Sequence, residues 1–221
     1  MDRIMKTSIA ETNRANQIQR KLIAATLFAC VAVLAITAPP AVAATDKITS
    51  STALTLRTPS QQISDAALLD VGIPTLNDGL YLTDESDTVF PEVRYAEAIY
   101  FSNQLAKVME KSGAWGAIRV TPTDSVIMDL YITGTILQSD GETMDLDIQV
   151  RDSSGKQWFA KNYKQTTGKY AYDRRLKRLG DPFQNLFIRI ANDLLAYREK
   201  LSEQQAIELR TISELRFAKS F

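Results

Sequence analysis

Residues 126–166 read VIMDLYITGTILQSDGETMDLDIQVRDSSGKQWFAKNYKQT, and apolar and polar side chains alternate along much of this stretch. The alternation is clearest from Met144 to Val150, where each apolar residue is followed by a polar one. A period of two is typical of a β-strand with one buried face and one solvated face. We therefore expect an antiparallel meander with Asp145 and Asp147 on its solvated face.

Two glycine-containing turns set the expected register of this meander. Ser139-Asp140-Gly141 and Ser153-Ser154-Gly155 both place glycine third, as in a three-residue hairpin loop that ends in a left-handed residue. The pairs that follow from these turns are Ile136 with Met144, Val150 with Trp158, Ile148 with Ala160, Asp129 with Arg151, and Asp147 with Lys161. The last two pairs would set opposite charges across the ladder, which stabilises a sheet.

A helix is predicted immediately before the meander. Pro91 suits the first turn of a helix, and Gly113 suits the position just after its end. Five apolar residues recur between them at helical spacing: Ala98, Phe101, Leu105, Val108 and Met109. The apolar face of the sheet is the nearest surface that could bury this stripe.

Two more helices are predicted at the carboxyl end. Asp181-Pro182 is typical of a helix start, and apolar residues then recur every three or four positions as far as Leu201. Ser202 and Gln205 resemble a capping box at the start of a second helix. Because this last helix has less sheet left to cover, it is either a partner-binding surface or a peripheral helix.

These elements predict an α+β fold with helices packed on an antiparallel sheet. The apolar run 66–73 is expected to add a strand in the middle of the sheet. The expected strands are about 116–121, 125–137, 142–151 and 156–166, with the strand near 66–73, and the expected helices are about 91–112, 182–200 and 203–218.

The first 43 residues have the order of a bacterial secretory signal peptide. A basic region precedes the apolar run 22–38, and Ala41-Val42-Ala43 follows as a small-residue cleavage site. Three fates remain open: cleavage after Ala43, lipidation of Cys30 in a lipobox-like context, or retention as a membrane anchor. The expected division is a signal peptide at 1–43, a flexible tether at 44–62, one α+β domain at 63–200 and a helical extension at 201–221. The exported protein would be periplasmic or membrane-tethered, at the inner face of the outer membrane if lipidated.

The composition excludes most catalytic chemistry. The chain has no histidine, and its single cysteine, Cys30, lies in the predicted leader. Cys–His and Ser–His catalysis, thiolate zinc sites and His-ligated haem are therefore excluded from the mature protein. Asp145 and Asp147 would lie about 7 Å apart on one strand face, but their open, solvated setting favours a structural role. We expect no cofactor, no metal and no enzymatic activity, with an acid-pair hydrolase as a distant alternative.

Two surface features are candidate contact sites. A basic run before the carboxyl-terminal helices suits an anionic lipid or an acidic partner, and equally a solvated loop. Its residues are Lys169, Arg174, Arg175, Lys177 and Arg178. The aromatic residues Tyr131, Phe159 and Tyr163 are expected on the solvated face of the sheet. There they form either a contact face for an amphipathic ligand or a set of rings packed across strands.

The order of strand, helix, short strand, meander and closing helix resembles that of a group of bacterial envelope proteins. The residues that carry the resemblance are 68–73 (LLDVGI), 112–120 (SGAWGAIRV) and 132–136 (ITGTI). The group includes the auxiliary lipoproteins of ABC-type transporters, the penicillin-binding-protein activator lipoproteins, the curli secretion lipoprotein CsgG and the amino-terminal domain of TolB. Residues 112–120 and 181–195 also resemble an uncharacterised family of exported proteobacterial proteins. The resemblance implies a fold and transfers no functional residue.

The export signal, the tether and the lack of catalytic groups favour a non-enzymatic envelope accessory protein that binds another envelope component. The alternative is a module of a transport system that binds lipid or another amphipathic ligand. Residues 1–43 hold five basic and two acidic side chains, so the rest of the chain has 21 basic and 24 acidic ones. This negative balance argues against a nucleic-acid partner. We expect another envelope protein or complex as partner, with anionic lipid as a second class.

Overall fold

The computed structural model describes residues 54–82, 89–168 and 181–221, together with the backbone of residues 45–48. The strands are β1 (Thr45–Ile48), β2 (Val71–Pro74), β3 (Ile118–Thr121), β4 (Leu130–Ser139), β5 (Thr143–Asp152) and β6 (Gln157–Thr166). The helices are α1 (Pro91–Ser112), α2 (Gln184–Arg198) and α3 (Glu203–Lys219). The predicted α+β class is therefore confirmed.

The six strands form one sheet in the order β1-β6-β5-β4-β2-β3. The strands β4, β5 and β6 form the predicted antiparallel meander, but β2 pairs in parallel with both β3 and β4. The prediction that residues 116–121 join the meander is therefore wrong, whereas the strand near 66–73 is interior to the sheet, as expected. The strand begins at Val71, next to the edge strand β3, because residues 65–67 form a 3-10 turn instead.

The predicted register is wrong, because Ser139 pairs with Met144 and the first turn therefore holds four residues instead of three, and because each hairpin contains a β-bulge. One bulge lies at Leu137 and pairs Ile136 with Leu146 and Ser139 with Met144. A bulge places two residues of one strand opposite one residue of its partner, so the alternation of buried and exposed side chains is interrupted only on the bulged strand. The face predictions for β4 and β5 survive, because Leu146, Ile148 and Val150 are buried in the core as expected.

The second bulge lies at Trp158 and reverses the predicted faces of β6. Val150 pairs with Phe159, and Ile148 pairs with Lys161. Lys161 and Tyr163 therefore point toward α2, where Lys161 Nζ lies 2.9 Å from Asp193 Oδ2 and the Tyr163 hydroxyl donates to the same oxygen at 2.8 Å.

Both predicted charge pairs on the solvated face are wrong, because Arg151 pairs with Tyr131 and Asp147 pairs with Asn162. Asp145 instead forms an ion pair with Lys164, with 3.0 Å between Oδ2 and Nζ. Arg151 lies 3.7 Å from Asp124, and both side chains are more than half exposed. An ion pair so exposed contributes little to stability.

The core lies between the helices and one face of the sheet. The predicted stripe of α1 is buried, and Phe101 contacts Phe187 of α2 with 6.1 Å between ring centroids. Ala206 and Leu209 of α3 belong to the same apolar core. Within the described residues, no helix has both the length and the apolar character needed to cross a membrane.

The helix ends at Gly113 and Ser202 follow the predicted chemistry, whereas α2 begins after Phe183, which has no side-chain cap, and not at Pro182. Gly113 ends α1 in the left-handed region with φ 66°, and the Phe183 N–H donates to Asp181 Oδ1 at 2.8 Å before α2 begins. The capping box is confirmed, since Ser202 Oγ accepts from the Gln205 N–H at 3.1 Å and the Gln205 side chain accepts from the Ser202 N–H at 2.9 Å.

Residues 54–60, called the strap, correct the prediction of a flexible tether at 44–62. The strap runs along α2 and is held by hydrogen bonds to Asn185 and Asn192 of that helix and to Glu199 just after its end. Within the expected tether, β1 also pairs in parallel with the edge strand β6. Much of the expected tether is therefore docked on the domain.

Candidate functional site

A cavity of about 630 Å³ lies where the first turn of α1 meets the end of β4. We call it the rim cavity, and it is lined by Val89, Phe90, Val93, Arg94, Glu97 and residues 137–141. Pro91 starts α1 at this point, and Leu137 is exposed beside the buried Ile136, where the pairing of β4 with β5 is irregular. The cavity is thus a product of one helix start and one strand irregularity, a common setting for functional surfaces.

The mouth of the rim cavity is apolar and exposed. Phe90 is 63% exposed, Val93 is 55% exposed and Leu137 is 40% exposed. A single exposed apolar side chain is ordinary, whereas several around one cavity are typical of a contact surface. Tyr95 and Ile99 add exposed apolar area one and two turns farther along α1.

The inner wall of the rim cavity is polar and ordered. Arg94 is buried and lies 3.5 Å from Glu97, whose other carboxylate oxygen accepts from Ser139 Oγ at 2.7 Å. Burial opposes ionisation of Asp140, but hydrogen bonds from the Thr143 N–H, the Gln138 side chain and the Glu142 N–H outweigh it and lower the Asp140 pKa. The cavity therefore offers an apolar mouth over a charged, hydrogen-bonded wall, which suits an amphipathic contact.

A second feature is a buried carboxylate beneath α3. Asp129 accepts from the Asp70 N–H at 2.8 Å and from Ser213 Oγ of α3. Burial raises the Asp129 pKa, and the hydrogen bonds from Ser213 and Asp70 oppose this effect only in part. A cavity of about 210 Å³ lies beside it, lined by Asp70, Met128 and Phe217 among others. Through its hydrogen bond from Ser213, Asp129 connects α3 to the start of β4.

The predicted aromatic contact face does not form. Tyr163 is fully buried against α2, and Phe159 lies 6.3 Å from Tyr197 of the same helix between ring centroids. Tyr131 stays on the opposite face but is buried, and its hydroxyl accepts from the Met128 N–H at 2.9 Å. The prediction of three exposed rings on one face is wrong, because the Trp158 bulge reverses β6.

The remaining predicted sites have mixed outcomes. The basic patch, with Lys169, Arg174, Arg175, Lys177 and Arg178, and the leader residue Cys30 lie outside the described residues. Asp145 is held by Lys164 and by the Asn162 amide, while Asp147 faces Asn162 in the ladder. Among the described residues, no group of three or more acidic, histidine or cysteine side chains could hold a metal ion.

Sequence reasoning missed the apolar residues of the rim cavity. Phe90 and Val93 lie outside the buried apolar stripe of α1. Apolar residues outside that stripe predict exposed apolar surface, so the sequence did carry a signal for these two residues. Leu137 also had a signal, because the alternation that buries Ile132 and Ile136 places Leu137 on the solvated face.

No protein-family model matches the chain, and no curated protein matches it. Several solved structures are similar at low levels, and two of them are described here. The hypothetical protein CT253 from Chlamydia trachomatis is 14% identical with a TM-score of 0.38, and the match covers 60% of this chain and 99% of that one. A PelC dodecamer from Paraburkholderia phytofirmans is 14% identical with a TM-score of 0.32, covering 71% of this chain and 94% of that one. TM-scores this low carry no argument about function.

Proposed function

We propose that this protein is a non-enzymatic accessory protein of the bacterial cell envelope that binds another envelope protein through the mouth of the rim cavity. The observation that carries the proposal is the exposure of Phe90, Val93 and Leu137 around one cavity. Large apolar side chains in such a group gain free energy when a partner covers them.

The chemistry of the rim cavity favours a polypeptide partner. A protein contact combines an apolar centre with hydrogen-bonding groups around it. Phe90, Val93 and Leu137 would form the apolar centre, and Glu97 and Ser139 lie beside it with their hydrogen bonding already arranged. The signal-like order of residues 1–43 supports the envelope as the place of this contact.

The test compares charge substitutions at the mouth with a matched substitution elsewhere. The full chain, carrying an affinity tag, is cross-linked in cells and recovered from the envelope fraction. Val93→Asp and Leu137→Asp should each reduce the recovered partner at least about tenfold, as expected for the centre of an interface. Leu215→Asp is the control, because Leu215 is 64% exposed but lies on α3.

Two results would count against this function. The first is equal partner recovery with Val93→Asp and with Leu215→Asp, since the mouth would then make no special contact. The second is catalytic turnover that depends on a single residue of the mature chain.

A second candidate function is the binding of a lipid or another amphipathic small molecule in the rim cavity. The volume of about 630 Å³ and the apolar mouth over the buried Arg94 favour it. Native mass spectrometry of protein purified from envelopes separates the two candidates. A retained polypeptide lost in Val93→Asp supports the accessory protein, whereas a retained small molecule lost in the same variant supports the binding module.

A further inference from the structure

The inner wall of the rim cavity contains a buried arginine, Arg94, whose guanidinium has unused hydrogen-bond donors. Arg94 is 4% exposed, and its Nε lies 3.5 Å from Glu97 Oε2, farther than the roughly 2.7–3.2 Å of an N–H···O hydrogen bond. Among the described residues, no side chain or carbonyl accepts a hydrogen bond from this guanidinium. A buried donor without an acceptor costs free energy, so the site favours a ligand that supplies one.

Two other arginines of this fold are held by main-chain carbonyl oxygens. Arg198, which is also buried, donates to the Ala67 carbonyl at 2.8 Å. Arg216 donates to the Ser153 carbonyl at 3.1 Å. A carbonyl oxygen is therefore an acceptor that satisfies a guanidinium in this protein, and it is the group that Arg94 lacks.

The charges of the cavity wall favour a neutral acceptor over an anion. The lining residues include two carboxylates, those of Glu97 and Asp140, and one guanidinium, that of Arg94. Hydrogen bonds lower the Asp140 pKa, so this carboxyl group is ionised at neutral pH. A bound carboxylate or phosphate would add a like charge close to both carboxylates, which is unfavourable. A carbonyl oxygen accepts from Arg94 without adding a charge.

We propose that Arg94 donates to a main-chain carbonyl oxygen of the partner polypeptide, while an apolar side chain beside that carbonyl packs on Phe90, Val93 and Leu137. This inference rests on the proposed function and adds the chemical group that the rim cavity recognises. Unpaired carbonyls of this kind occur at the carboxyl end of a helix and along an edge strand. An apolar mouth with a few placed donors is the usual composition of a site that binds such a segment.

The test compares two probes that share an alkyl chain and differ in the head group. N-methyldecanamide carries the neutral amide of a peptide bond, and decanoate carries a carboxylate. Each radiolabelled probe is mixed with the protein purified from envelopes, and its dissociation constant is measured by equilibrium dialysis. The amide should bind at least about tenfold more tightly than decanoate, because the two carboxylates of the wall repel the anion.

Three variants assign the preference to Arg94. Arg94→Met keeps an unbranched side chain and removes the donors, so it should weaken amide binding at least about tenfold. Because it also leaves Glu97 without a cation, the double variant Arg94→Met with Glu97→Gln is measured beside it and should lose amide binding to the same extent. Lys107→Met is the matched control, since Lys107 is exposed on the same helix, and it should leave both dissociation constants unchanged. Urea denaturation shows which variants are folded.

Three results would overturn this role of Arg94. They are decanoate binding at least as tight as amide binding, amide binding that is unchanged in the folded variants without Arg94, and no amide binding by the native protein. The proposed function is tested separately, by cross-linking of the partner in cells. Loss of the partner in Val93→Asp with unchanged recovery in Arg94→Met would remove the role of Arg94 and leave the proposed function standing.

Discussion

At the residue scale, Gly134 shows how one missing side chain permits the packing around β4. A methyl group at this position would lie 2.7 Å from Ile148 Cδ1 and 2.8 Å from the Asp147 carbonyl oxygen. The carbonyl belongs to the neighbouring strand and cannot move without breaking the ladder. The absence of a side chain also lets Leu76 approach, and the Asn77 N–H donates to the Gly134 carbonyl at 2.8 Å.

We therefore expect Gly134→Ala to destabilise the protein through overpacking. The free energy of unfolding should fall by about 1–3 kcal/mol, measured by urea denaturation of the purified chain. Gly168→Ala is the matched control, because nothing lies within 4 Å of an added methyl group there. Equal stability of the two variants would mean that β4 and β5 are less tightly packed than the structure has them.

Asp129 gives a prediction about pH. Burial raises its pKa in the folded protein above the unfolded value, so the folded state binds more protons between these two values. The contribution of this group to stability therefore falls as pH rises from the unfolded pKa through the raised folded pKa. Asp129→Asn should remove this fall, since an amide does not titrate.

The measurement is the free energy of unfolding from weakly acidic to neutral pH. Asp124→Asn is the control, because Asp124 is an exposed carboxylate whose ion pair with Arg151 is long. If the two variants have the same pH dependence, Asp129 is not the source of it.

At the element scale, periodicity predicted the buried and exposed faces of β4 and β5, but it failed for the faces of β6 and for strand pairing. The turn glycines Gly141 and Gly155 are left-handed as predicted, with φ 85° and 89°. Buried and exposed faces follow from the alternation within one strand, which a bulge in a neighbouring strand leaves unchanged. The positions of the bulges at Leu137 and Trp158 depend on tertiary contacts, such as the Trp158 indole that donates to Asp152 at 3.0 Å.

The place of β2 could not be predicted for a related reason. Parallel neighbours are joined by long connections, so no turn residue records which strands pair. The Asp70 N–H, just before β2, donates to the Asp129 side chain, just before β4, and this contact joins the two strand starts. Nothing in the local sequence of either residue predicts that contact.

The capping box of α3 is an element whose contribution can be measured. Ser202 Oγ accepts from an N–H of the first turn that would otherwise lack a helical partner. Ser202→Ala should lower the free energy of unfolding by about 1 kcal/mol. Ser220→Ala, at the other end of the same helix, should change it much less, because Ser220 is exposed and lies beyond the last turn. Similar losses in both variants would show that the cap contributes no specific stabilisation.

At the scale of the whole molecule, the candidate site depends on features that arise from different ranges of the sequence. The start of α1 was predictable from Pro91 and the exposure of Leu137 from the strand alternation, whereas the approach of that helix start to the end of β4 was not. The rim cavity forms only when both are in place. This is why the fold class could be predicted from local pattern and the candidate contact surface could not.

The fate of the amino-terminal segment is the last prediction, and it belongs to the whole chain. We expect cleavage after Ala43, since Ala41-Val42-Ala43 has the small residues that signal peptidase requires. The mass of protein recovered from envelopes should therefore begin at Ala44, and Cys30→Ala should leave that mass unchanged. A chain that begins at a lipidated Cys30, and that loses its membrane association in Cys30→Ala, would contradict cleavage at Ala43. In that case the docked strap would hold the domain close to the membrane, because residues 54–60 lie on α2 and cannot extend as a free tether.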